Sequence, residues 1–189
     1  MVDLTELADR LSVAGLIFHE MVDQDCPFIP PTLATAAAGY PPPSGQWPTS
    51  SVDVDVQDWV AKANKGWFEL ASDGGLFSAG REFLVAVERH EKEWWWARVG
   101  LAHTWDVMGA GAAGVLGSGF GIPGFAMLSL AGDVIVCGLE WQSSIGTVLV
   151  SHFNELRSLR EFAEWRAGWQ GTSEWDQATI RSWLRGLNE

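Results

Sequence analysis

Three consecutive tryptophans, Trp94 to Trp96, lie in a segment whose apolar pattern predicts a β-strand. Successive residues of a strand face opposite sides of the sheet, so each face of that sheet must receive at least one indole. Either the sheet is covered on both faces, or Trp95 is exposed and available to a partner. The chain contains twelve tryptophans in 189 residues, enough aromatic surface to build most of a core.

The middle of the chain has the alternating pattern of β-strands. Alternation in 82–90 and 94–103, joined by a charged turn, predicts a hairpin. A tight-turn signal at 72–75 predicts a second hairpin between strands at 67–70 and 76–77. Further strands are predicted at 124–130, 134–141 and 145–151.

Apolar residues at helical spacing predict helices near both ends of the chain. The apolar residues of the N-terminal helix recur from Leu4 to Met21, so this helix is predicted to end before Pro27. A short helix is predicted at 56–63, and two more are predicted at 156–169 and from Ser173 onward. The predicted fold is therefore α+β in a single domain, 1–189. It comprises an N-terminal helix, a Pro-rich loop, an antiparallel β-meander of five or six strands and two C-terminal helices.

The Pro-rich loop, residues 24–55, contains seven of the eight prolines and the only tyrosine. Proline removes backbone donors and fixes φ, so a long helix or a central strand is excluded here. A single helical turn fits at 34–38. Two interpretations stay open: a loop that wraps over the core and is held by Tyr40 and Trp47, or an arm that binds a partner.

Charge restricts the class of partner. Twelve Lys and Arg against 24 Asp and Glu give a net charge of −12, which argues against nucleic acid or an anionic membrane as the main partner. The uncharged stretch 107–132 is long enough to cross a bilayer, but its eight glycines and the absence of flanking basic residues argue against a transmembrane helix. The acidic start has no basic n-region, and we expect a cytoplasmic protein.

The sequence contains only weak matches to motifs for nucleotide binding, metal binding or catalysis. The pattern G-x-G-x-x-G occurs at 109–114, but further glycines and Pro123 break the helix that would have to follow it in a dinucleotide site. The four histidines lack metal-ligand spacing, and neither Cys26 nor Cys137 has the context of a nucleophile. We expect no metal, no cofactor and no catalytic residue, although catalysis by groups brought together from distant segments is not excluded.

The leading hypothesis is a non-catalytic binding protein for a basic protein partner, as in an immunity protein or antitoxin that inhibits a toxin. Clustered carboxylates would steer the partner and aromatic anchors would slow its dissociation. The candidate steering residues are Asp23, Asp25, Asp53, Asp55 and Asp58, and the candidate anchors are Tyr40 and Trp47.

Two alternatives remain. The chain could bind a small molecule, or act as an enzyme, in an apolar tryptophan-lined cavity whose mouth contains His103, Trp105, Gly109 and Gly111. It could also be a structural subunit of a homo-oligomer, joined through Trp95 or the last helix.

Overall fold

The computed structural model of the protein describes residues 3–23, 27–42, 45–90 and 92–187. Within these ranges the helices are α1 (Leu4–Val13), α2 (Pro31–Ala37), α3 (Trp59–Asp73), α4 (Arg157–Gly168) and α5 (Glu174–Gly186), with a π-helical turn at Val107–Gly111 and a 3-10 turn at Phe153–Glu155. The strands are β1 (Leu16–Met21), β2 (Thr49–Asp53), β3 (Glu82–His90), β4 (Glu93–Leu101), β5 (Gly117–Gly119), β6 (Ile122–Pro123), β7 (Ala126–Leu128), β8 (Val134–Trp141) and β9 (Ser144–Ser151).

Seven strands form one antiparallel sheet in the order β1-β4-β3-β7-β8-β9-β2, and β5 pairs with β6 in a separate ribbon. The predicted hairpin is confirmed as β3–β4, with Val87 opposite Trp95, and the strands predicted at 134–141 and 145–151 are confirmed as β8 and β9. Strands β1 and β2 are the two edges, about 29 Å apart at ~4.8 Å per strand. The fold is mixed α+β, as the sequence predicts.

Helices cover this sheet on both sides. Helices α1 and α3 and the π-helical turn pack on what we call the first face, and α2, α4 and α5 pack on the second face. Trp96 is buried on the second face, where its Nε1 donates to the carbonyl oxygen of Ile29 at 2.8 Å. Trp95 packs against the core of the first face. Of the two arrangements that the tryptophan run allows, the protein has the sheet covered on both faces.

The N-terminal helix is shorter than predicted. Helix α1 ends at Val13, and the residues from Leu16 to Met21 form the edge strand β1. Gly15 makes the change of direction with a φ of +77°, and a Cβ there would lie 2.5 Å from the carbonyl oxygen of Thr104. The helical spacing of Phe18 and Met21 is therefore coincidental.

The hairpin predicted around residues 72–75 is also wrong, because 67–70 belongs to helix α3. Ala63, Trp67 and Ala71 are spaced four residues apart and form a fully or nearly fully buried stripe on the first face. The Gly74 N–H donates to the carbonyl oxygen of Leu70, and Gly75 adopts a φ of +80°. The glycine pair thus ends a helix rather than joining two strands.

Between Phe28 and Trp47, the described residues of the Pro-rich loop pack on the second face. The predicted helical turn is confirmed as part of α2, and residues 49–53 add the edge strand β2 to β9. Tyr40 and Trp47 are both half-buried against the second core, as the wrapped-loop interpretation expects. Asp25 and Cys26 lie outside the described residues.

A buried carboxylate joins three helices on the second face. Asp176 of α5 accepts a hydrogen bond from the hydroxyl of Thr32 in α2 at 2.5 Å and pairs with the Arg166 guanidinium of α4 at 2.8 Å. Its side chain is only 7% exposed. The N-cap of α5, predicted near Ser173, is confirmed by the hydrogen bond from the Asp176 N–H to the Ser173 hydroxyl.

Candidate functional site

Tyr40 and Trp47, the two predicted anchors, are neighbours in the structure. The indole Nε1 of Trp47 donates to the backbone carbonyl of Tyr40 at 3.1 Å. The Tyr40 ring in turn packs on Phe162 of α4, with 5.4 Å between ring centroids. The loop and the helix therefore present their aromatic side chains on one surface.

This aromatic surface continues along α4. Phe162 stacks on Trp165 at 5.8 Å, and Trp165 stacks on Trp169 at 5.3 Å with 17° between ring planes. The two tryptophans are 55% and 51% exposed. We call this set the aromatic ridge; its members are Trp47, Tyr40, Phe162, Trp165 and Trp169.

Helical spacing explains why the ridge lies partly outside the core. The buried stripe of α4 contains Leu159, Ala163 and Ala167, and it packs against the sheet. Trp165 is two residues from both Ala163 and Ala167, so at about 100° per residue its ring lies on the side of α4 that faces away from the sheet. Trp169 is the C-cap residue, just past the end of the helix, where the backbone is extended. The sequence pattern places both tryptophans beside the apolar stripe of the predicted helix at 156–169, but they are not among the predicted anchors.

The predicted steering carboxylates do not form one cluster. Asp53 ends β2, and Asp55 and Asp58 lie in the turn that leads to α3 on the first face. The Asp53 carboxylate accepts from the Asp55 N–H at 3.1 Å, so these two residues organise the turn. Asp23 follows β1 at the opposite edge of the sheet. The strand order therefore separates Asp23 from the other three by about the width of the sheet.

Charge is distributed unequally between the two helical layers. Residues 3–13 and 53–73, which contain α1 and α3, carry eight acidic and three basic side chains. Residues 157–187, which contain α4 and α5, carry four acidic and five basic side chains. The acidity thus lies on the first-face helices, whereas the ridge lies in a nearly neutral layer.

The four residues of the predicted cavity mouth have other roles. Trp105 packs in the first core, stacked on Phe68 with 5.2 Å between centroids, whereas His103 is exposed. A Cβ at Gly111 would lie 3.0 Å from the Cβ of Ala14, so the backbone there is closely packed. Gly109 is packed against a carboxylate of the chain itself.

That carboxylate belongs to Asp106. It accepts from the backbone N–H groups of Gly109 at 3.0 Å and Ala110 at 2.8 Å, and from the side-chain amide of Asn64 at 2.6 Å. Asn64 also accepts from the Met108 N–H at 2.9 Å. The glycine-rich backbone therefore binds an internal anion with the kind of N–H donors that a phosphate would require.

Glu88 and Glu140, two carboxylates near the ends of β3 and β8, lie on different faces of the sheet. Glu88 is in phase with Leu84 and Ala86 on the second face, whereas Glu140 is in phase with Val134 and Val136 on the first, so these two carboxylates do not form a pair across the sheet. Among the described residues, no three His, Cys, Asp or Glu side chains are grouped as a metal site would require. Within the same ranges, no helix is both long and apolar enough to cross a membrane.

Cys137 is buried in β8, and its thiol donates to the carbonyl of Ala34 at 3.4 Å. Burial raises the pKa of this thiol to about 12, because the thiolate would lose its hydration. We expect Cys137 to resist alkylation in the native protein and to react once the protein is unfolded. Iodoacetamide labelling of a Cys26→Ser variant, followed by intact-mass measurement, checks this; rapid labelling of the folded variant would contradict the burial.

The ridge is thus the one feature in which residues predicted from the sequence meet in space and leave apolar surface exposed, among the residues described. Comparison with protein-family models, curated proteins and solved structures gave no match to this chain. The function of this chain is therefore inferred from its own sequence and structure.

Proposed function

We propose that this chain is a non-catalytic binding protein that recognises a protein partner through the aromatic ridge. The observation that carries the proposal is the continuous stack from Tyr40 to Trp169, whose outer two indoles are about half exposed. Contiguous exposed aromatic surface is typical of interaction sites, and tryptophan and tyrosine are enriched among the residues that dominate binding energy.

The ridge is preorganised, which favours this use. Each ring packs on the next, and Trp47 is held by its hydrogen bond to the Tyr40 backbone. Side chains that are already fixed lose little conformational entropy when a partner binds. About half of the surface of Trp165 and of Trp169 stays accessible to the apolar groups of a partner.

We further propose that the partner is basic. A net charge of −12 generates a field that attracts a cationic protein and raises the association rate, even where the charges make no direct contact. The first-face carboxylates Asp53, Asp55 and Asp58 would contribute to this field from outside the interface. Steering and anchoring would then come from different parts of the surface.

The class of binding protein that we propose is an inhibitor of the immunity or antitoxin type. Under this proposal, the ridge inserts into a groove beside the active site of a basic toxin and the body of the chain blocks access to it. Most of the binding energy would come from the desolvated indoles, and the charges would mainly determine the rate of encounter.

Replacement of both Trp165 and Trp169 by alanine tests this proposal. The tagged variant and the wild type are used to capture binding proteins from the host extract, and the affinity of the captured basic protein is then measured by calorimetry. We expect the double variant to bind about a hundredfold more weakly or worse, because it loses two central aromatic contacts. Both side chains are half exposed, so we expect the fold to remain intact.

Trp141→Ala is the matched control. Trp141 is 37% exposed at the end of β8 and is not part of the ridge, so its loss should leave the affinity within about twofold of wild type. Equal binding by the ridge variant and the wild type would refute the proposal. If light scattering shows instead a homo-oligomer that the ridge variant dissociates, the ridge is a self-association surface and the basic partner is refuted.

A further inference from the structure

A second aromatic feature lies at the opposite edge of the sheet from β2, between β4, residues 22–23 and 28–31, and α5. It is a small cavity of about 50 Å³. Aromatic and proline side chains make up most of its lining, together with Asp23 and two α5 hydroxyl residues, Thr179 and Ser182. The aromatic residues that line it are Phe28, Trp94, Trp95, Trp96, Trp175 and Trp183.

The walls of this cavity are held in place. Trp96 is fixed by its hydrogen bond to Ile29, and Trp95 stacks on Trp175 of α5 with 4.8 Å between centroids and 20° between planes. The Arg89 guanidinium carbon lies 4.7 Å from the centroid of the Trp95 ring, which is cation–π distance. The faces of the Trp95 ring are therefore taken by Trp175 and by a cation of the chain itself, so a ligand in the cavity would meet the other indoles of the wall.

The electrostatic surroundings also favour a cation. Asp23 lines the same cavity, so a positive ligand seated against the indoles would be close to a carboxylate. The net charge of −12 raises the local concentration of small cations at the surface. Indole faces carry negative potential and attract weakly hydrated cations best, because such cations lose little hydration energy when they enter an apolar site.

We propose that this cavity binds a methylated ammonium group. The cavity is small, which favours a compact head group over an extended ligand. The head group would lie against the indoles that line the cavity and close to the Asp23 carboxylate. This site is distinct from the aromatic ridge and does not depend on the proposed partner.

Titration with choline and with 3,3-dimethyl-1-butanol, its neutral carbon isostere, tests the proposal. The readout is the set of indole N–H signals in a ¹H–¹⁵N spectrum, assigned at the site by their loss in Trp→Phe variants at Trp95 and Trp175. We expect choline to shift these two signals and to bind about tenfold more tightly than the isostere. Tetramethylammonium and trimethyllysine, which carry the same group without the hydroxyethyl chain of choline, distinguish the head group from the remainder of the ligand.

Asp23→Asn should weaken choline binding about tenfold and leave the isostere unaffected. Asp9→Asn, which removes the same charge from the exposed side of α1, is the matched control and should bind choline as the wild type does.

Equal affinities for choline and the isostere, or an Asp23→Asn variant with unchanged affinity, would overturn the cation assignment. Absence of any shift at the two site signals would overturn the site itself. The Trp165→Ala, Trp169→Ala double variant should bind choline normally, so the failure of one proposal does not imply the failure of the other.

Discussion

Gly109→Ala should lower the free energy of unfolding by about 3 kcal/mol, since it combines steric overlap with the loss of two or more hydrogen bonds. A Cβ at this position would lie 2.5 and 2.6 Å from the two carboxylate oxygens of Asp106 and 2.6 Å from a Val60 methyl. The Asp106 carboxylate could not keep its contacts with the Gly109 and Ala110 N–H groups. Urea-induced unfolding, followed by far-UV circular dichroism, measures the change.

Gly114→Ala is the matched control in the same glycine-rich motif. Its Cβ would lie 3.5 Å from the Ala110 carbonyl, an ordinary contact, so we expect a change of less than about 0.5 kcal/mol. Asp106→Asn separates the two contributions, because it keeps the shape and removes the anion. If Gly109→Ala and Gly114→Ala had the same stability, the internal carboxylate would not be what requires glycine here.

Asp176→Ala should be at least as destabilising, by about 3–5 kcal/mol, because it breaks a buried ion pair and leaves a partly buried guanidinium without its partner. The Asp176 side chain is 7% exposed and that of Arg166 is 29% exposed. The same carboxylate accepts from Thr32, so its loss also weakens the attachment of α2 to the two C-terminal helices. Thermal unfolding monitored by calorimetry provides the measurement.

Glu161→Ala provides the comparison for this prediction. It removes the Arg157–Glu161 pair, which is 2.8 Å long but exposed on α4, and we expect a loss of at most about 0.5 kcal/mol. Similar effects of the two substitutions would show that burial contributes little to the Asp176 pair. A well-folded Asp176→Ala variant with wild-type stability would refute the assignment of this carboxylate as the link among the three helices.

Strands β3, β4, β8 and β9 and the two C-terminal helices could be predicted because their patterns are local. The β3–β4 hairpin follows from alternation on both sides of a charged turn, and α5 follows from the Ser173 cap. The two errors share a cause, because a short apolar segment does not by itself distinguish a helix from a strand. Gly15 decided the first case and the buried stripe around Trp67 decided the second, and both depend on tertiary contacts.

The site was less predictable than the fold. Tyr40 and Trp47 could be selected because aromatic residues in a Pro-rich loop need a surface to pack on. Their partners on α4 could not, since the contact between Tyr40 and Phe162 spans more than a hundred residues and has no local signal. The aspartates were grouped by composition, and the strand order, which composition does not determine, places Asp23 at the far edge of the sheet.

Native mass spectrometry of the tagged chain, purified from its own host at low and at moderate salt, tests the central claim most directly. The account predicts a complex of fixed stoichiometry with a basic protein, present at low salt and progressively lost as salt rises, because screening weakens the steering charges. The aromatic contacts should make its dissociation slow even while its formation is salt-sensitive. A bare monomer under both conditions, or a chain that carries only a small-molecule adduct, would contradict the account.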